Sequence, residues 1–311
     1  MRSVTESIEG PAADAPDWFR QAVAQRPEES SVTVEGADIE FLAWGERGRP
    51  GLLLAPGSRA HAHWWSFAGP LLARSRRVAA LSFSGMGRSD HRERYSTVQL
   101  AEELLAVAEA AGLSDRGPPI LVGLSLAGLP LVQCAIRHPD RVGGLILVDS
   151  LLRMPAPLPG IRTQADPVPP QRIYPSREAA MRTFRPVPPT LRVPDYILDH
   201  LAHHGLKAID PAAPESGWIW RYDRNFVSNL EWHDEERLLH QVHCPVALIR
   251  GEESPVLSEE VVHTMTARLP AGAIVRTIAD AGHHIVAEQP LALITQIEGI
   301  IAQWHRSRKT N

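Results

Sequence analysis

Apolar residues in this chain fall into short unbroken runs separated by stretches with helical spacing. The runs cover residues 52–54, 77–83, 119–124, 142–148, 245–250 and 273–278. Each is too short for a helix and lacks the alternation of a half-exposed strand, so each reads as a strand buried on both faces. Between them, helices are expected over 63–74, 126–138, 258–269 and 289–305. Another opens at Ser96, where Gln99 completes a capping box, and carries Leu100, Leu104, Val107 and Ala111 on one face. The last helix presents Ile294, Ile297, Ile301 and Trp304. Strict alternation appears once, over 31–44, with a turn at Gly36-Ala37, and predicts a hairpin. Buried strands alternating with helices predict an α/β fold: a mostly parallel sheet of about eight strands, flanked by helices.

Residues 151–235 break this rhythm. Eleven of the 27 prolines lie between Pro155 and Pro194, which disfavours long helices and central strands. Short helices are expected at 176–183 and 194–203. Trp218, Trp220, Trp232, Tyr174, Tyr196 and Tyr222 also lie in this block. It reads as a helical lid inserted into a core made of residues 31–150 and 236–311, or as an insertion with a small core of its own. Residues 1–30 read as an N-terminal extension, with Asp17 capping a short helix whose Trp18, Phe19 and Val23 face the main body.

Composition narrows the possibilities. A net charge of −4 over 311 residues leaves no basic footprint for nucleic acid. No apolar run approaches the ~20 residues of a membrane span. The first ten residues lack a signal-peptide pattern. Cys134 and Cys244 are too few for a disulfide framework and read as buried thiols of a cytoplasmic protein. The expected partner is a small-molecule substrate, with neither nucleic acid nor membrane; the oligomeric state stays open.

One segment points to chemistry. The run 119–124 ends in Gly123-Leu124-Ser125-Leu126-Ala127-Gly128, and a helical stretch follows at once. A serine on a tight strand-to-helix turn holds its hydroxyl above the sheet, and small neighbours let the backbone bend. The Leu126 N–H then opens a helix and can face a developing oxyanion. A nucleophilic serine needs a base. Ala281-Gly282-His283-His284 follows the last strand, where the loops of a parallel sheet gather on the serine's edge. His283 is the candidate base and His284 its rival.

Together the elbow, the Gly-His pair and the Gly85–Asp90 loop make the chain resemble the α/β-hydrolase fold superfamily over nearly its whole length. The run His61-Ala62-His63-Trp64-Trp65 after an apolar strand is similar as well. The resemblance implies a serine esterase-like hydrolase with a Ser–acid–His order and no cofactor. It makes Ser125 the nucleophile. It pairs the Ser58 N–H with that of Leu126 as an oxyanion hole, although Pro56 stands where relatives carry a histidine. The acid has two homes among relatives. After the strand before the last, this chain has Gly251-Glu252-Glu253-Ser254, with a serine in place of the usual aspartate. At the end of the preceding strand it has Asp149, the assignment adopted here, with Glu252 and Glu253 as alternatives. Serine rather than aspartate at the elbow disfavours epoxide and haloalkane chemistry. The expected reaction is cleavage of an ester, lactone or related acyl bond of a small, apolar molecule. Carbon–carbon bond hydrolysis, cofactor-free oxygenation and a non-catalytic binding role are the alternatives.

Three further groups carry less weight. Arg59, His61, His63 and Trp64 read mainly as ordinary surface, with a place at the mouth of the site as the other possibility. His200, His203 and His204 read as a solvated helix face rather than a metal site. Gly85-Met86-Gly87 lacks the phosphate-loop lysine and reads as a tight loop beneath the site.

Overall fold

Five of the six apolar runs are buried on both sides because their alternate residues enter two different cores; the sixth, 273–278, forms the edge of the sheet and leaves Arg276 and Thr277 exposed. A computed structural model describes residues 14–150, 152, 166–190, 192–231 and 233–310. Part of the N-terminal extension, residues 153–165 of the proposed insertion and Trp232 lie outside the described residues. The central strands are β1 (Glu28–Val34), β2 (Ala37–Trp44), β3 (Gly51–Ala55) and β4 (Arg77–Leu81). They continue as β5 (Ile120–Leu124), β6 (Gly144–Val148), β7 (Val246–Gly251) and β8 (Ile274–Ile278). Leu53, Ala79, Leu121, Leu145 and Leu248 pack into one core, beneath helices α1 (Thr97–Ala110) and α2 (Gly128–Arg137). Leu52, Val78, Val122, Ile146 and Ala247 pack into the other. That second core is covered by the N-terminal helix Asp17–Val23, the turn Ala62–Trp65 and the C-terminal helix Pro290–Thr310.

The spatial order is β1-β2-β4-β3-β5-β6-β7-β8. β1 and β2 form the expected hairpin, and β2 meets β4 antiparallel; every other pairing in the sheet is parallel. The hairpin turns on Glu35 and Gly36, one position earlier than the pattern predicts. Both have positive φ, 46° and 78°, as the twist of a two-residue turn requires. The chain leaves β3 toward β4 and returns to the other flank of β3 with β5. Strand order therefore reverses between β3 and β5, which opens a crevice at their carboxyl ends. The segments carrying Ser58 and Ser125 begin at those two ends.

Two local expectations give way. The helix expected at 63–74 is a 3₁₀ turn, Ala62–Trp65, and a single α turn, Gly69–Leu72. The second piece begins at a close contact: a Cβ on Gly69 would lie 2.7 Å from the Trp44 ring. Pro70 then favours a fresh helix start. Asp17 does not cap its helix; Pro16 holds that position and Asp17 lies in the first turn.

Between β6 and β7, the described residues include helices Arg177–Met181 and α3 (Asp195–His204) and a small antiparallel pair, Leu206–Ala208 with Trp218–Trp220. Tyr174, Ala180 and Leu206 form a small core there, with Trp218 and Trp220 against it. No helix among the described residues is long and apolar enough to cross a membrane.

Phe19 is fully buried, 5.6 Å from the Phe67 ring and 4.8 Å from that of Tyr196 on α3. Phe19→Ala should cost about 3–5 kcal/mol of stability, read as a lower urea midpoint at an unchanged slope.

Candidate active site

Ser125 sits where β5 turns into a 3₁₀ turn, Ser125–Ala127, and then into α2. Its φ of 56° lies in the left-handed region, which costs a non-glycine residue about 1 kcal/mol or more. Crowding around the elbow holds the chain there. A Cβ on Gly57 would stand 3.0 Å from that of Ser125, and one on Gly123 would stand 3.1 Å from that of Ala127. A Cβ on Gly128 would press to 2.5 Å from Ser150. The glycine that close packing demands is thus Gly128, and Ala127 is accommodated before it.

His283 comes from the loop after β8. Its Nε2 lies 2.9 Å from Ser125 Oγ, and its Nδ1 lies 2.7 Å from Asp149 Oδ2. An ionised carboxylate only accepts, so Nδ1–H donates to Asp149 and the Nε2 lone pair faces the serine hydroxyl. Asp149, at the end of β6, is fully buried with a φ of 45°. Its Oδ1 accepts the Gly251 N–H at 3.0 Å, and its Oδ2 accepts the Ser254 hydroxyl at 2.5 Å. Ser254 Oγ itself accepts the N–H groups of Val256 and Leu257 at 3.1 and 3.2 Å, which directs its proton to the carboxylate. Three donors thereby offset the desolvation of the Asp149 charge. In the sequence, Ser254 registers only as a missing aspartate; its contact spans 105 positions and has no local signature.

The alternatives for base and acid lie elsewhere. Glu252 and Glu253 are exposed; Glu252 accepts the Asp280 N–H at 3.4 Å, and Glu253 pairs with Arg192. His284 is buried and donates from Nε2 to the Pro188 carbonyl at 2.8 Å. Burial, reinforced by His283, lowers its pKa to about 3. Beneath the loop, Glu288 accepts the Gly282 N–H, a support that no sequence motif marks.

Ser58 follows β3, with Gly57 packed against Ser125. The N–H groups of Ser58 and Leu126 belong to the two segments that flank the serine. Leu126 lies in the first turn of a helix, where N–H groups have no partner in the turn before. The Gly85–Asp90 loop lies behind: Ser82 Oγ donates to Glu40 at 2.8 Å and accepts the Ala62 N–H at 2.9 Å. The Arg88 N–H donates to the same Glu40 oxygen at 2.9 Å. Above the serine opens a cavity of about 710 Å³, lined by Ser58, Ser125, Leu126 and His283, and roofed by Tyr174, Phe184 and Trp220.

The histidines depart from their surface reading. His61, His63 and Trp64 are buried, because the chain after Gly57 folds into a 3₁₀ turn beneath α3. His61, Trp64 and Arg59 line the cavity. His200 and His204 form no solvated face; they pack on His63, with ligating atoms of the three within 4.8 Å of one another. The rings of His63 and His204 are stacked 3.6 Å apart at 7°. In-plane lone pairs of parallel rings cannot converge on one ion, so this arrangement does not itself form a metal centre. His203 lies beside them, its ring 5.1 Å from that of His204.

Known proteins are similar to this chain in sequence and fold. The alpha/beta hydrolase family model matches residues 52–296. Esterase Rv0045c of Mycobacterium tuberculosis is 29% identical over 291 residues, 90% of this chain and 92% of that protein. Its solved structure superposes with a TM-score of 0.70 at 22% identity, over 93% of this chain and 99% of that one. The thioesterase domain from the curacin biosynthetic pathway gives 0.72 at 23% identity, over 87% and 99%.

Burial also holds His61 to about 4, against the Leu201 carbonyl that accepts from it at 3.2 Å. His61 and His284 are therefore neutral in the folded protein at pH values where an unfolded histidine takes up a proton. As pH falls below about 6.5 the unfolded chain binds protons that the folded chain excludes, so stability drops until the folded values are reached. Each such group contributes up to about 1.4 kcal/mol per pH unit once the pH is well below 6.5, and burial lowers His63, His200 and His204 in the same direction. Urea unfolding at pH 7, 6 and 5 should show a falling midpoint; a level one contradicts this account.

Proposed function

We propose that this chain, which belongs to the alpha/beta hydrolase family, cleaves a carboxylic ester, lactone or related acyl bond of a small molecule at Ser125. The carrying observation is the unbroken relay from Ser125 Oγ through His283 to Asp149, at 2.9 and 2.7 Å. His283 Nε2 takes the hydroxyl proton as Oγ attacks the acyl carbon. The oxyanion that forms is held by the N–H groups of Ser58 and Leu126, each worth about 3 kcal/mol in the transition state. Asp149 fixes the tautomer and steadies the imidazolium. The leaving group takes the proton from His283, and water then enters by the same route to free the acid.

Residues 151–235 act in this reading as a lid between core segments 31–150 and 236–311, and residues 1–30 as an N-terminal extension whose helix Asp17–Val23 packs on that core. The aromatic roof of Tyr174, Phe184 and Trp220 supports a substrate with an apolar or aromatic portion. The similarity to a mycobacterial esterase points the same way. Ser254, the serine in place of the usual aspartate, donates its hydroxyl to Asp149, which supports a catalytic role over a binding-only one. Cys134 is buried and Cys244 half-buried, with no disulfide joining them, which fits a reducing, cytoplasmic setting.

A fluorophosphonate probe should label Ser125, and Ser125→Ala should lose on the order of 10⁴-fold or more in ester turnover. Asp149→Asn should lose on the order of 10⁴-fold, whereas Glu252→Gln should stay within about twofold. Turnover surviving in Ser125→Ala, or collapsing in Glu252→Gln, would refute the assignment.

A further inference from the structure

Among the described residues, the cavity wall carries arginines and no carboxylates. Arg59, Arg172, Arg185, Arg221 and Arg224 line it. The chain as a whole carries a net charge of −4, so this concentration of cations runs against its average. We infer that the substrate bears an anionic group, a carboxylate or a phosphate, away from the reacting acyl carbon, and that these arginines receive it. The inference rests on the acyl-transfer reading only for the end of the molecule that reacts.

Placement supports it. Arg59 directly follows Ser58 and holds a φ of 60°, a left-handed conformation that side chains other than glycine seldom adopt. Backbone strain of this kind gathers at functional sites. The Arg59 guanidinium lies 5.7 Å from the Tyr222 ring centre, and that of Arg172 lies 4.8 Å from that of Tyr174. Arg221 donates from Nε to the Leu206 carbonyl at 2.7 Å, and Arg224 donates to the Pro169 carbonyl. Ring faces and carbonyls fix the direction in which a guanidinium points. The field reaches the wall's other groups, since the charges of Arg221 and Arg88 add to the burial that lowers His61. A concave wall of one sign concentrates ligands of the opposite sign. Arginine is the cation best shaped to grip a carboxylate or a phosphate, through paired N–H donors.

Two matched substrate pairs test the idea on the full chain. Monoethyl glutarate against ethyl valerate varies a carboxylate at equal acyl length. Butyryl-coenzyme A against butyryl-N-acetylcysteamine varies phosphate on the leaving side. In at least one pair the anionic member should win by roughly tenfold or more in kcat/KM, through a lower KM. The advantage should shrink several-fold between about 0.05 and 0.5 M sodium chloride. It should also fall toward parity in the doubly substituted Arg59→Gln, Arg221→Gln protein. Preference confined to the first pair assigns a carboxylate, and to the second a phosphate. Parity, or preference for the neutral member, in both pairs overturns the inference. Failure to turn over any ester or to label Ser125 defeats the acyl-transfer reading instead. Calorimetry with glutarate and with coenzyme A then decides the anion site: salt-sensitive binding upholds it, and absence of binding rejects it.

Discussion

The site is organised around a carboxylate that has been taken fully out of water. Asp149 is tolerable at the end of a buried strand only because three donors converge on it. They come from two separate stretches of chain: Gly251 and Ser254 at and just beyond the end of β7, and His283 after β8. The desolvated charge therefore fixes where two loops must run. Once the imidazole is held from one side, its other nitrogen points at Ser125, and the remaining geometry follows from the sheet.

Backbone strain maps the same region. Five non-glycine residues among those described have positive φ: Glu35, Arg59, Ser125, Asp149 and Asp280. Glu35 belongs to a hairpin turn, where such angles are ordinary. The others lie in segments that follow β3, β5, β6 and β8 and lead to the cavity or to His283. Each costs about 1–3 kcal/mol, supplied by the two well-packed cores beneath. The sheet thus serves as a rigid platform whose carboxyl edge carries the unfavourable conformations that chemistry needs.

Much of this was legible in the chain itself. Unbroken apolar runs gave the parallel sheet, since a strand covered on both faces has no polar side to display. The elbow was readable because its steric demands are local: a small residue, a serine, and a helix start within a few positions. What escaped reading depends on contacts between distant segments. Ser254 acts across the sheet on Asp149, Glu40 and Ser82 brace the turn at Ala62, and Gly69 yields to Trp44. The histidines 61, 63, 200 and 204 looked like surface because each is polar, and only the packing of α3 on the turn at Ala62–Trp65 removes them from solvent.

The glycine displaced to position 128 has a consequence for divergence. Its partner is Ser150 on the adjoining strand end, so what must be preserved is the combined bulk of two facing positions, not a letter at a set interval from the serine. Enlargement at 150 or at 128 would drive the same wedge between α2 and β6. Lineages of this fold can therefore slide the small residue by one step when the neighbouring strand end has room. A search template demanding glycine two places after the nucleophile would pass over every one that did.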